Sequence, residues 1–219
     1  MGGSTVQGRI PGPVPEGLTV FETMRAEADG RIALWSLHRD RLRRDCAAVG
    51  FPLDWAAVGD ALVDLPRGQV LRVRLTVDGA GTVGVTHQPL PPNPAFWRVV
   101  LSPLRLDCAD PWLRIKTSHR PVYDHARAAL SDGVDEAILL NERGEVCEGT
   151  ITSLFLRRGD RFLTPPLDCG LLPGVLRQSL IDAGKAQEAR LLPGDLDAGN
   201  LFMGNALRGL IPARLVRPG

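Results

Sequence analysis

Apolar and polar residues alternate over several short runs and recur at helical spacing in others, and the two periods change over repeatedly along the chain. Leu18 to Arg25 reads as a strand, and Asp29-Gly30 as a tight turn into a second strand, Arg31 to Leu34. Leu37, Leu42, Ala48 and Val49 give the apolar stripe of a helix from about Leu37 to Val49, which Gly50 stops. Asp54 caps a second helix running to about Leu65, ended by Pro66 and Gly68. Val70 to Val77 and Val83 to Gln88 pair as a hairpin around Asp78-Gly79-Ala80-Gly81.

Pro89-Leu90-Pro91-Pro92-Asn93-Pro94 can continue neither a helix nor a central strand. It reads as a linker, or else as a surface loop inside one domain; strand signals on both sides favour a boundary, giving lobes at 1–92 and 93–219. The second half starts with a strand from Trp97 to Leu101. Leu113 and Ile115 alternate with Arg114 and Lys116 as in a half-buried strand, which Thr117-Ser118-His119-Arg120-Pro121 breaks. A short helix follows from about Val122 to Leu130, then a strand at Asp135 to Leu140, a turn at Asn141-Glu142-Arg143-Gly144, and strands at Val146 to Gly149 and Ile151 to Phe155. Phe162 to Thr164 is a short strand. Cys169 to Gly174 leads into a helix from Val175 to Ala183, and strands near Ala189 to Leu192 and Leu201 to Met203 complete the pattern. Strands and short helices mixed in two halves argue for two α/β or α+β lobes.

A net charge of +1 gives no reason to expect nucleic acid or a membrane as partner, and no apolar run reaches the length of a span. The opening Met1-Gly2-Gly3-Ser4-Thr5 lacks the charged-then-apolar pattern of a signal peptide. Cys46, Cys108, Cys147 and Cys169 are scattered without Cys-x-x-Cys spacing, so neither a disulfide framework nor a metal site is expected and a reducing cytoplasm is the plain setting.

The chemistry concentrates between Trp112 and Phe155. Lys116 closes one strand and Glu148 lies on another. An amine that forms a Schiff base, and a carboxylate that keeps a pyridine nitrogen protonated, are what pyridoxal phosphate needs. Each also has a plainer reading, as a solvated lysine and an exposed strand glutamate. Lys116-Thr117-Ser118, Asp135-Glu136-Ala137, Gly144-Glu145-Val146 and Glu148-Gly149 together resemble the fold-type IV pyridoxal-phosphate enzymes, the family of branched-chain aminotransferase, D-amino acid aminotransferase and aminodeoxychorismate lyase. The resemblance runs from about Gly17 to Leu215.

The resemblance implies the two-lobed α/β fold of those enzymes, pyridoxal 5'-phosphate as cofactor and a homodimer. It makes Lys116 the Schiff-base lysine and proton shuttle, and gives Glu148 the pyridinium contact. His38-Arg39-Asp40-Arg41-Leu42 resembles the family's His-x-x-Arg-Leu and assigns Arg41 to the phosphate, with the amides of Val175 and Leu176 at the start of a helix that follows Gly170-Leu171-Leu172-Pro173-Gly174. Thr152 and Ile151 approach the cofactor through their backbone. Tyr123 either bonds the cofactor's phenolic oxygen or packs on its helix. Ser153 stands where the family has asparagine. Ala206 stands where transaminases have threonine, and Asn205 is a substitute donor.

Asn205-Ala206-Leu207 and Lys116-Thr117-Ser118-His119-Arg120 look more like the lyases, and the entry strand around Glu22 is similar to both subfamilies. The expected activity is therefore a 4-amino-4-deoxychorismate lyase that releases pyruvate and leaves 4-aminobenzoate, with Glu22, Arg72, Arg74, Ala206 and Leu207 facing substrate. Arg72 and Arg74 share one strand face, a geometry suited to an anionic substrate or to solvent. The alternatives are a class IV aminotransferase using branched-chain or D-amino acids, and a degenerate, cofactor-free binding domain.

Overall fold

In the computed structural model the described part of the chain comprises residues 8–198 and 200–216; the Met1–Thr5 opening lies outside it. It divides into two compact units, the first running to Leu90 and adding Ile115–His119, the second comprising Pro91–Arg114 and the residues from Arg120 on.

The first unit is a three-stranded antiparallel sheet, β1 (Thr19–Ala26), β2 (Leu71–Asp78) and β3 (Val83–Pro89), with two helices, α1 (Trp35–Val49) and α2 (Trp55–Val63). Strand β2 shows the strict alternation its sequence predicts: Leu71, Val73, Leu75 and Val77 are buried, and Arg72 and Arg74 lie on the other face. Helix α1 ends at Gly50, whose φ of 75° is the left-handed stop that glycine makes easy. Asp54 caps α2 through the Ala56 N–H at 2.8 Å. The strand expected at Arg31 to Leu34 shrinks to one bridge between Ala26 and Ile32. Leu34 takes a left-handed conformation and starts α1 at once, which leaves no room for a longer pairing.

The segment Ile115–His119 lies along the edge of β1 that β2 does not use. Thr117 bridges Val20, the Phe21 N–H donates to the Lys116 carbonyl (3.0 Å), and the Ser118 N–H donates to Thr19 (2.8 Å). Lys116, expected in the C-terminal lobe, thus groups with the first unit. The strand expected up to it is also different: Pro111–Arg114 is a 3₁₀ turn. The Asp110 carboxylate accepts the Trp112 N–H at 2.9 Å and winds the chain there. Leu113 and Ile115 are still both buried, so the alternation is real in burial but not in backbone conformation.

The second unit is built on a ring of six strands. β4 (Trp97–Leu106) pairs in parallel with β5 (Glu136–Asn141) and with β11 (Gly209–Leu215). Antiparallel pairings through β6 (Val146–Gly149), β7 (Ser153–Arg158) and β10 (Leu201–Asn205) close it, and β8 (Arg161–Thr164) and β9 (Ala186–Glu188) extend it from β7. Every residue of β5 is buried. Ile138 and Leu140 enter one core cluster with Val99, Val146, Leu154 and Met203; Ala137 and Leu139 enter another with Leu106, Leu113 and Tyr123. Helices α3 (Pro121–Ala128) and α4 (Val175–Asp182) complete the unit.

Strand β11 is not among the expected elements. Gly209 and Pro212 interrupt its apolar pattern, leaving Ile211 and Ala213 as the alternating buried pair. Strand β9 lies before the Ala189 to Leu192 run expected for it, where Leu191 instead gives its carbonyl to the Val146 N–H. The mixed α/β class agrees with the expected fold.

Candidate active site

Three strands of the second unit place Glu148, Ser153 and Gly204 in one row. Glu148 on β6 is opposite Ser153 on β7, and Ser153 is opposite Gly204 on β10. Between β5 and β6 the register shifts at Cys147, the extra residue of a β-bulge directly before Glu148. Bulges re-aim the side chain beside them. The Glu148 carboxylate is buried, and one oxygen accepts the Tyr123 hydroxyl at 2.6 Å and the Leu172 N–H at 2.9 Å. Burial, and then the neighbouring carboxylate, push the Tyr123 phenol well above its ordinary range, so it stays a protonated donor.

Helix α4 starts beside this row. Gly174 precedes it without a side-chain cap, which leaves the first N–H groups, those of Val175 and Leu176 among them, without a side-chain acceptor from the cap position. A Cβ on Gly174 would stand 2.4 Å from the Ser153 Oγ, and one on Gly204 would stand 2.8 Å from Leu176 Cδ2. Side-chain atoms have been cleared from both positions so that the helix end can close on the strands. Gly174→Ala is expected to cost about 1–3 kcal/mol by overpacking. Ser153→Ala should recover most of it in the double mutant, as read from urea denaturation midpoints.

The turn Thr150–Thr152, between Glu148 and Ser153, is organised by Glu136, which is fully buried. Its carboxylate accepts the N–H groups of Ala137 (3.0 Å), Thr150 (3.0 Å) and Ile151 (3.2 Å), the Thr152 hydroxyl (2.9 Å) and the Thr150 hydroxyl. Asn205 ties the β10–β11 turn to the same loop: its amide donates to the Ile151 carbonyl at 3.2 Å and its oxygen accepts the Arg208 N–H at 2.9 Å. Ala206 is half-buried beside it, and Leu207 is buried. Glu148, Tyr123, Thr152, Val175, Leu176 and Asn205, all expected at the cofactor, are thus gathered around one row in one unit.

In the first unit, Lys116 Nζ lies 4.6 Å from the centroid of the Phe21 ring, and the Arg74 guanidinium lies 3.7 Å from the same ring. Phe21 shares the sheet face of Arg72 and Arg74: it is opposite Thr76 in the register, and Arg74 is opposite Thr23. Glu22 is the next residue of β1, so its side chain points the other way. There it meets α1. Arg41 donates to it through Nε (2.7 Å) and Nη2 (2.5 Å), and His38 Nδ1 donates at 2.7 Å. Glu22 and Arg41, expected at substrate and phosphate, therefore form a buried ion pair with each other on the α1 side of β1.

Burial would raise the Glu22 carboxyl. The Arg41 charge and the hydrogen bonds from Arg41 and His38 outweigh it and bring the pKa down to about 2. A carboxylate whose folded pKa lies below its unfolded value adds stability that is complete above the unfolded pKa and vanishes as pH falls through the folded one. The native state should accordingly lose stability between about pH 4.5 and about 2. Glu22→Gln should flatten that part of a urea-midpoint-versus-pH curve.

Four structural residues were not visible as such in the sequence. Glu136 was seen only as part of a motif, Phe21 only as part of a strand, and Asp45 amid the charges of α1. Arg177 is also fully buried and donates to the Pro165 carbonyl (2.9 Å) and to Glu188, fixing α4 to the β8–β9 edge. The one available signal was a charged residue inside an otherwise apolar strand, as at Glu136.

The profile of amino-transferase class IV matches residues 19–216, and the chain belongs to that family. A solved structure from Mesorhizobium loti, named provisionally as an amino-acid aminotransferase, is 42% identical, covers 91% of this chain and 100% of its own, and superposes with a TM-score of 0.84. A Thermotoga maritima relative, named provisionally as a branched-chain-amino-acid aminotransferase, is 28% identical over 89% of this chain and 76% of its own. The aminodeoxychorismate lyase of Bacillus subtilis is 34% identical over 45% of this chain and 36% of the lyase.

The family implies pyridoxal phosphate, and the residues of this structure fit it. The second unit has a buried carboxylate held by a phenol and an amide, and an uncapped helix end cleared by Gly174. A pyridinium nitrogen and a phosphate are what these would hold. Among the described residues no helix is long and apolar enough to cross a membrane.

Proposed function

We propose that the chain is a pyridoxal-phosphate-dependent 4-amino-4-deoxychorismate lyase, acting through Lys116. The observation that carries the substrate class is the cationic face of the first unit. Arg74 and the Lys116 amine rest on one phenylalanine ring, and Arg72 lies on the same strand face. Such a face suits a substrate with two carboxylates. The chain has only two lysines, Lys116 and the exposed Lys185, and meets nearly all its other cationic needs with arginine. Arginine cannot become a neutral nucleophile, so a lysine kept at 116 in such a composition supports its chemical use.

When bound, pyridoxal phosphate supplies an aldehyde for amines and a ring that withdraws the electrons left by a departing proton. Lys116 would hold the cofactor through that aldehyde carbon, and its amine, when free, would be the base for the proton on the substrate ring carbon. Glu148, its carboxylate fixed by Tyr123 and the Leu172 amide, would keep the pyridine nitrogen protonated. The Val175 and Leu176 amides, at the uncapped start of α4, would take the phosphate. The ring proton would pass to the Lys116 amine, the ether C–O bond would break, and the departing enolpyruvate would take up a proton to become pyruvate, leaving 4-aminobenzoate. The absence of a hydroxyl at Ala206 favours this reading. A homodimer and a cytoplasmic setting go with it, the latter in keeping with four free cysteines.

The second reading is an aminotransferase for branched-chain or D-amino acids, favoured by the 42% identity with the Mesorhizobium loti protein. One experiment separates the two. The purified protein, loaded with pyridoxal phosphate, is given aminodeoxychorismate and, separately, each class of amino acid. Pyruvate from the first, with no conversion of the cofactor to its pyridoxamine form by the others, is the expected result. Pyridoxamine formation from an amino acid, without pyruvate from aminodeoxychorismate, establishes the second reading. Protein that stays colourless with pyridoxal phosphate overturns both in favour of a binding domain.

A further inference from the structure

We infer that Asp45 is the positioning residue of Lys116: its buried carboxylate holds the Lys116 backbone N–H and so fixes the direction in which the amine leaves the chain. The inference rests on the reading of Lys116 as the amine that takes the cofactor. Asp45 lies on α1 and is fully buried. Its Oδ2 accepts the Lys116 N–H at 2.8 Å, and its Oδ1 accepts Arg44 Nε and Nη2 at 2.9 and 2.7 Å. On the other side of the same Cα, the Lys116 carbonyl accepts the Phe21 N–H at 3.0 Å. The two peptide groups flanking Lys116 are thus tied to different elements, one to α1 and one to β1.

Docking of the 115–119 segment on β1 does not need this carboxylate. The Ser118 N–H to Thr19, the Thr19 N–H to the Ser118 hydroxyl at 3.0 Å, and the Val20–Thr117 bridge already supply it. What Asp45 adds is a charged acceptor at a single N–H, and that N–H is Lys116's own. A charged acceptor makes a stronger, more directional bond than a neutral one. Burial pushes the Asp45 carboxyl up, and the Arg44 guanidinium opposes that. A buried ion has been kept here at a cost that a neutral side chain would avoid.

The test uses the full chain with Asp45→Ala, Asp45→Glu and Asp45→Asn. Residue-resolved amide hydrogen exchange is measured at Lys116 and Ser118 without added cofactor. Turnover and KM are measured with pyridoxal phosphate bound. In Asp45→Ala the Lys116 amide should exchange at least about tenfold faster while Ser118 is unchanged, and kcat should fall by about 10–100-fold with KM within about twofold, the scale expected of a reactive group misplaced by about an ångström. Asp45→Asn, which keeps an oxygen acceptor, should recover part of both effects. Asp45→Glu keeps the charge but shifts the oxygens by a methylene; it should show the same selective loss, and it carries the test if Asp45→Ala does not fold. Wild-type exchange at Lys116 in these variants, faster exchange at Lys116 and Ser118 alike, or selective exchange with unaltered kcat overturns the inference. Borohydride reduction of the wild-type protein decides separately whether Lys116 takes the cofactor. The exchange pattern still reports the Asp45 contact if it does not.

Discussion

Lys116→Ala is expected to lower turnover by more than about 10³-fold, the upper range for losing a general base, with the loss of the covalent attachment added to it. The fold should survive. The bonds that dock the segment run through the backbone of Lys116 and through Thr117 and Ser118, none of which the substitution removes. The urea midpoint should therefore stay within the range of an ordinary surface change, about 0.5 kcal/mol. Lys116→Arg is the sharper control. It keeps a cation over the Phe21 ring but cannot give up its proton, so it should be as inactive as alanine. Turnover retained by either variant would move the chemistry elsewhere.

Glu136→Ala should be the most destabilising single change in the second unit. It would leave the N–H groups of Thr150 and Ile151 and the hydroxyls of Thr150 and Thr152 around an empty, fully buried position. Each unsatisfied donor costs about 1–3 kcal/mol, less what water or rearrangement returns. A net loss of about 3–5 kcal/mol follows, comparable to breaking a buried ion pair. That is a large share of the 5–15 kcal/mol roughly typical of a domain. Urea denaturation reads it directly. A midpoint near wild type would mean that the Thr150–Thr152 turn does not depend on this carboxylate. The turn sits between Glu148 and Ser153, so affinity for pyridoxal phosphate should fall in parallel.

The strands with clean alternation were legible in the sequence because one face is buried and the other is not, as β2 shows with Arg72 and Arg74. Helices α1 and α2 were legible from Gly50 and Asp54, whose stopping and capping roles are local. The 3₁₀ turn at Pro111–Arg114 was not: its burial pattern matches that of a strand, and the deciding bond comes from the Asp110 side chain. Strand β11 was hidden by Gly209 and Pro212, and its place in the ring depends on β4 and β10, distant in sequence.

The same physics divides the candidate site. Lys116 and Glu148 stand in motifs and could be picked out. Asp45 and Glu136 could not be assigned a role, because a buried carboxylate looks like a solvated one until the N–H groups that it accepts are brought to it. The donors that give them their roles are distant: the Lys116 N–H lies 71 residues downstream of Asp45, and those of Thr150 to Thr152 lie 14 to 16 downstream of Glu136. Arg41 and Glu22 show the converse. Sequence could name both, but strand alternation and α1 turn them toward each other.

Reduction of the pyridoxal-phosphate-treated protein with borohydride, followed by proteolysis and mass mapping, tests the central claim most directly, because the chain offers only two lysine amines. The phosphopyridoxyl mass is predicted on the peptide carrying Lys116, with Lys185 unlabelled. A label on Lys185, or on no lysine, would contradict the account.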